Sequence, residues 1–434
     1  SEKMFARGCH VIPDGTSRVR VERDPLPRYV LKGEGAYLVD VDGQRFLDLS
    51  NNLTTLIHGH GFAPVMDAVS RLLRDGTCFT NPTAHEIDLA ELLVDRIPAI
   101  DQISFVNTGT EAVMFAIKAA RAFTGRSSIA KIEGAYHGKY DWAEAGAGGI
   151  PSTWGSPDAP VAVPSYGGMP ASVADEVVML RFNDADGARR RIADAADRLA
   201  CVLLDPMPSG CGLIPPNPDF VAAVIETARQ HDILIVCDEV LNLRQSYRGA
   251  SARYGIEPDL IAAGKIIGGG FPIGAIGGSR RVMSVFEGSA GHAKVAQGGT
   301  FSANPVSMVA GRVGLEAMTE AAFDGLEAMG ERLRAALTAA IAHHKAHYVI
   351  SGAASLFRIH PKQKLPHDYR EAYPSPDEAA AMKAMSRFFR NNGIVLPEGA
   401  SACLSTAMSD ADIDKIASVF ERFLGMSVSN GEAR

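Results

Sequence analysis

Between residues 100 and 280 the chain repeats one pattern, a short and nearly unbroken apolar run followed by a longer stretch of helical periodicity. The runs are "QISFVN" (102–107), "SSIAKIE" (127–133), "ACVLLDP" (200–206), "ILIVCDE" (233–239), "DLIAAGK" (259–265) and "IGAIGGS" (273–279). A strand with one wet face alternates polar and apolar side chains. Strands as uniformly apolar as these are buried on both faces, which requires helices above and below. The intervening "TEAVMFAIKAARAFTG" (110–125) and "DFVAAVIETARQHD" (219–232) have helical spacing, with Gly125 as a stop signal. The expected fold is therefore α/β, a mostly parallel sheet between helices. The Pro/Gly-rich stretch 146–170 has little periodicity and reads as a long excursion at the surface or the active site.

The two ends read differently. "GEGAYLVDVDGQRFLDLS" (33–50) has the form of a hairpin turning at Asp42-Gly43. Beyond residue 320, helical patterns at 325–345 and 376–391 alternate with short strands at 356–360 and 402–408. This predicts a small α+β domain drawn from both chain ends. The expected boundaries are an N-terminal segment 1–58, a large domain 59–322 and a C-terminal domain 323–434. A length of 434 residues with 46% apolar content supports a substantial core. The net charge of -7 gives no footprint for nucleic acid or anionic membrane. No apolar stretch reaches the roughly 20 residues that span a bilayer, and "SEKMFARGCHVIPDG" has no apolar core of the signal-peptide kind. The six cysteines are scattered without a C-x-x-C pair, as expected for reduced thiols in a cytoplasmic protein with no structural metal.

In a buried parallel sheet, ligands gather at the carboxyl ends of the strands, and several unusual groups fall there. "NTGTEA" follows the first run, where Gly109 allows close approach and Thr110 opens a helix whose free N–H groups suit a phosphate. An ordinary strand, turn and N-cap reads the same way. "GAYHGK" presents Tyr136 and His137 between glycines, a setting for stacking on a flat heterocycle or for plain packing. "ILIVCDEV" ends in two adjacent carboxylates, Asp238 and Glu239. A buried carboxylate needs a partner, which a protonated ring nitrogen, a helix cap or an ion pair could supply. Metal is disfavoured because no histidine follows to complete a ligand set. Lys265, at the end of the next run, precedes the glycines at 268–270 and either snorkels or serves as an amine nucleophile. It is followed by isoleucine, so no P-loop is present, and no G-x-G-x-x-G joins the first strand to its helix.

A phosphate cradle, a stacking ring, a carboxylate for a ring nitrogen and an amine nucleophile form one set, and pyridoxal phosphate uses all four. With "NTGTEA", "GAYHG", "CDEV", "PDLIAAGKIIGGGFPIGAIGG" and "GGTFSANP" in order across residues 107 to 305, the chain resembles the class III (ω-type) aminotransferases of pyridoxal-phosphate fold type I. Within them it is most similar to the branch of glutamate-1-semialdehyde aminomutase and the β-amino-acid aminotransferases. The resemblance implies a seven-stranded sheet, with Lys265 holding the cofactor as a Schiff base and carrying a proton, and Asp238 pairing with its ring nitrogen. It places Val240 and Tyr136 on the two ring faces and Gly109 and Thr110 at the phosphate. Thr300 would reach the phosphate of a neighbouring subunit, which implies a homodimer with composite sites.

The implied chemistry is ping-pong amino transfer from an amino acid, including β- and ω-amino acids, to a keto acid. An aminomutase that returns the amine to a neighbouring carbon is the alternative, with 146–170 as its closing lid. A catalytically silent scaffold is the rival from another class, and it would need neither Lys265 nor Asp238. "IPDGTSRVR" resembles the segment that supplies a carboxylate-binding arginine, here Arg18 and next Arg20. Departures from the family pattern are Asp205 in place of glutamate, Gly210 where an asparagine contacts the cofactor, and a shortened "DEVLNLRQSY". Glu398 stands where β-amino-acid relatives carry an arginine, which disfavours dicarboxylate acceptors and offers an anion to a substrate ammonium.

Overall fold

Runs apolar on both faces do become strands buried on both faces. In the computed structural model, which describes residues 1–18, 21–289, 291–399 and 402–431, strands Leu199–Leu204, Leu234–Asp238 and Leu260–Gly264 have every residue buried. The chain divides into two units, one of Pro64–Asp324 with Pro366–Tyr373, the other of Ser1–Ala63, Gly325–Leu365 and Pro374–Arg434.

The larger unit is built on a seven-stranded sheet. In spatial order its strands are Gln102–Val106, Gly274–Gly278, Leu260–Gly264, Leu234–Asp238, Leu199–Leu204, Ser128–Ile132 and Val177–Leu180. Only Gly274–Gly278 runs against its neighbours. Six of the seven coincide with the runs read from the sequence. The seventh, Val177–Leu180, is a four-residue run too short to show a period, and it lies at the sheet edge.

One face is covered by the helix Gly109–Thr124, whose Val113, Ala116, Ile117 and Ala120 pack on Leu260, Ala262 and Ile276. Close approach is possible because the reversed strand is glycine-rich. A Cβ on Gly274 would stand 2.1 Å from the Thr108 carbonyl oxygen. That helix ends at Gly125, whose φ of 73° is the left-handed cap that glycine adopts at little cost. On the other face Phe220, Val221 and Val224 of the helix Pro218–Gln230 pack on Val202, Leu204 and Ile235. Each large apolar side chain buried in this way contributes about 1.5–3 kcal/mol.

The excursion at 146–170 contains no helix or strand, only an isolated bridge between Gly155 and Pro160. It is strapped by the segment 366–373. Arg370 pairs with buried Glu133 and donates to the carbonyls of Gly155 (2.9 Å) and Trp154 (3.0 Å), while Tyr369 donates to that of Gly149 (2.7 Å).

In the smaller unit, Tyr37–Asp40 and Arg45–Asp48 form the expected hairpin around Gly43 (φ 81°). Val30–Glu34 adds to one edge and Ile394–Val395 pairs parallel with the other, so both chain ends share this sheet. The expected strand at 402–408 is reduced to Ala402–Cys403, and the rest of that run turns away. Among the described residues no helix is long and apolar enough to cross a membrane.

Candidate active site

Asp238 is the last residue of the central strand Leu234–Asp238 and is 4% exposed. Its Oδ2 is 2.7 Å from Nδ1 of His137, and its Oδ1 accepts the Val240 N–H at 3.0 Å. Burial pushes the His137 imidazole below its ordinary pKa, against the pull of Asp238. The ring is therefore neutral and donates its one proton from Nδ1, while its buried Nε2 has no hydrogen-bond partner. Both donors to Asp238 are uncharged. A buried carboxylate so placed favours a cationic group in whatever binds beside it.

Glu239 has a different fate. Its side chain is fully buried and caps the short helix Gly249–Arg253, accepting the N–H groups of Ala250 (2.7 Å) and Ser251 (2.8 Å) and the Ser251 hydroxyl. Burial raises its pKa and those bonds oppose the rise. Of the two adjacent carboxylates, one is structural and one faces the cluster described next.

Around Asp238 the fold assembles most of the residues singled out in the large unit. A Cβ on Gly109 would lie 2.7 Å from Val240 Cγ1, and one on Gly264 would lie 3.4 Å from the same atom and 3.6 Å from Gly109 Cα. Glycine at 109 and 264 thus lets the helix start, the residue beside Asp238 and the backbone just before Lys265 converge. The helix opens one residue earlier than the sequence predicts, at Gly109, with Thr108 as N-cap accepting the Glu111 N–H. Thr110 is therefore its second residue, and the N–H groups of Gly109 and Thr110 belong to the first turn, where a helix has no internal acceptors. The Thr110 hydroxyl accepts the Lys139 N–H at 3.3 Å, which ties the "AYHGK" turn to the helix start. Tyr136, on that turn, is 42% exposed.

Lys265 begins the short helix Lys265–Gly268 with φ of 50°. A left-handed conformation in a residue other than glycine is held only by its surroundings and is common at functional sites. Its charge acts on Asp205, a residue the sequence marked only as a departure. Asp205 is buried and accepts N–H groups from Met207 (3.0 Å) and Asn242 (2.6 Å). Burial first, and Asp238 next, push Asp205 well above the usual carboxylate range. Asn242 is in turn bonded by Gln245, and Gln245 by the Tyr254 hydroxyl, each at 2.7 Å. At Gly210 a Cβ would stand 1.9 Å from the Gly134 carbonyl oxygen, so no side chain fits there.

The remaining candidates are Thr300, Arg18, Arg20 and Glu398. Thr300 is exposed on the turn after Gly299, which lies beside the Asn107 side chain. Arg18 is an exposed residue of the smaller unit and donates to Asn52 Oδ1 at 2.7 Å. Asn52 sits in a turn, Asn51–Thr54, whose four residues all have positive φ (45°, 51°, 56° and 72°). Arg20 lies outside the described residues. Glu398, also in the smaller unit, is exposed, and its charge helps raise the pKa of Glu22. The assembled cluster fits a flat group with an anionic arm for the helix start and a protonated ring nitrogen for Asp238.

The family model described as Aminotransferase class-III matches residues 19–424. Glutamate-1-semialdehyde 2,1-aminomutase of Methanothermobacter thermautotrophicus is 33% identical over 413 residues, covering 95% of each chain. A solved ω-transaminase from Sphaerobacter thermophilus is 43% identical with a TM-score of 0.94, over 98% of this chain and 97% of that one. A further solved structure, a transaminase with PLP bound, is 36% identical with a TM-score of 0.91, over 99% of this chain and 98% of that one.

Proposed function

The chain belongs to the class III aminotransferases, and on that premise we propose that it moves an amino group from a β- or ω-amino acid to a keto acid, using pyridoxal phosphate. The observation that carries the reading is the convergence at Asp238 of the helix start at Gly109, of Val240 and of the chain leading into Lys265. When bound, pyridoxal phosphate supplies an electrophilic carbonyl and a protonated ring that accepts an electron pair from the reacting carbon.

The protein's own residues do the rest. Asp238, kept dry and oriented by His137 and the Val240 N–H, holds the proton on the ring nitrogen. Val240 and Tyr136 would pack on the ring faces. The N–H groups of Gly109 and Thr110 would hold the phosphate at the positive end of their helix, joined by Thr300 of a second subunit in a homodimer. Nζ of Lys265 anchors the cofactor and takes the proton from the amine-bearing carbon of the substrate. Arg18 binds the substrate carboxylate, and Glu398 attracts an ammonium group. Release of the first carbonyl product before the second substrate binds makes the kinetics ping-pong.

The 33% identity to an aminomutase supports a second reading, in which the amine returns to a neighbouring carbon of the same molecule. One experiment addresses both. The loaded protein is mixed with β- and ω-amino acids in turn, and its visible absorbance and released keto acid are followed. Bleaching with one keto acid per site is the expected result. Isomerisation of an amino aldehyde or amino acid without any acceptor would favour the mutase, and a protein that takes up no cofactor colour would refute both.

A further inference from the structure

Lys131 lies in the strand Ser128–Ile132 and is fully buried. Its ammonium donates to three backbone carbonyls, those of Ala135 (3.1 Å), Ala143 (2.6 Å) and Ala145 (2.9 Å). An ammonium has three N–H groups, and here all three are used on uncharged acceptors. The acceptors bracket the turn that carries Tyr136 and His137. One precedes Tyr136 directly, and the other two flank Glu144, in the chain that leaves that turn.

Capping three carbonyls does not require a charge, since an amide or a water donates as well. A buried cation is expensive, and burial drags this amine down to about 7. The expense is offset where a buried anion lies near. Of the groups that favour its charged form, Asp238 acts most strongly, ahead of Glu144 and Cys211. Glu144 is already paired with the Lys139 ammonium, and the His137 ring bonded to Asp238 is held neutral by burial. The charge of Lys131 thus has one main counterpart, the carboxylate assigned above to the ring nitrogen.

We propose that Lys131 is a positioning residue for that carboxylate: it ties down residues 135–145 so that His137 meets Asp238, and its amine and the Asp238 carboxylate act on each other through charge. Lys131 touches neither cofactor nor substrate in this account. The inference rests on the role of Asp238 proposed above.

The test uses the full-length apoprotein with isotope-labelled lysine side chains, titrated by NMR. The Lys131 resonance is assigned by its through-space contacts to Ala135, Ala143 and Ala145, whose carbonyls its amine bonds. In D238N, which keeps the shape and the hydrogen-bond acceptor but removes the charge, the Lys131 midpoint is expected to fall by about one pH unit or more. An unchanged midpoint overturns the proposal, whatever other variants do. The companion variant is K131Q, which keeps N–H donors for the carbonyls and removes the charge. It is expected to bind pyridoxal phosphate about tenfold or more weaker and to lose the low-field His137 Nδ1–H resonance. A folded K131Q with wild-type affinity and an intact resonance would reduce Lys131 to a carbonyl cap and also overturn the proposal. The D238N titration needs neither K131Q nor any substrate, so it decides the matter if K131Q fails to fold or if the amino-transfer reading fails.

Discussion

The contact between Gly109 and Val240 sets a double-mutant test of how tightly the site is built. An alanine at 109 puts a methyl 2.7 Å from Val240 Cγ1 and 3.0 Å from Cγ2, closer than carbon atoms approach without movement. Overpacking of this kind costs about 1–3 kcal/mol. Alanine also favours the helix over glycine by up to about 1 kcal/mol, so the single variant G109A should lose about 1–2 kcal/mol net. V240A removes both offending methyls of a half-buried side chain and should itself cost about 1 kcal/mol. In the double variant the clash is gone and the helix preference remains. G109A and V240A should therefore couple, the pair being about 1–3 kcal/mol more stable than the sum of its parts predicts. Thermal melting of the apoprotein reads this as roughly 2–4 °C per kcal/mol. Cofactor affinity, measured by titration, should fall in G109A and recover in part in the double variant. Strict additivity in both measurements would show that the helix start does not rest on Val240, and the cradle described above would be wrong.

Lys265→Ala should leave a folded protein that retains no cofactor after borohydride reduction and loses amino transfer by about 10³-fold or more; turnover at the wild-type rate would exclude Lys265 as the nucleophile. Asp205 and Glu239 both hold their protons more tightly folded than their ordinary values of 3.8 and 4.5, so the native state binds excess protons above those values and stability falls as pH rises through that window. D205N, which retains an acceptor for Met207 and Asn242, should raise the melting temperature near neutral pH and lose that advantage at about pH 4; the same shift at both pH values would contradict the assignment. Native protein should show fast thiol modification at Cys9 and Cys78, which are exposed, and none at Cys201, which burial pushes up to about 12, or at buried Cys211, Cys237 and Cys403. Mapping by peptide mass spectrometry checks this, and rapid labelling of Cys201 would refute its burial.

What the sequence made legible followed from regularity. Strands with no polar face and helices with a 3.6-residue period announce themselves, and the glycine at 109 marks a place of close approach. Other features depended on distant parts of the chain and left no local sign. Asp238 and Glu239 are neighbours of the same chemistry at the same strand end. Only the fold shows that one is consumed by Ala250 and Ser251 and the other is bonded by His137. The turn Asn51–Thr54 contains no glycine, so four positive φ angles could not be foreseen, nor could the bond from Arg18 to Asn52.

Lys131 shows the limit most clearly. Within "SSIAKIE" a lysine reads as a side chain reaching for water from the end of a strand, the usual fate of that residue. Its three acceptors come from residues 135, 143 and 145, in a segment without periodicity. Nothing in the run foretells that the chain closes over the ammonium instead of letting it out. The two lysines of this site thus separate on physical grounds. Lys265 is legible because it ends an apolar run and glycines flank it in the sequence. Lys131 is illegible because its amine is spent on the backbone, and its influence on Asp238 is carried by charge and by the shape of residues 135–145. A site of this kind is specified by short motifs where groups touch the ligand and by the whole fold where groups only hold those that do.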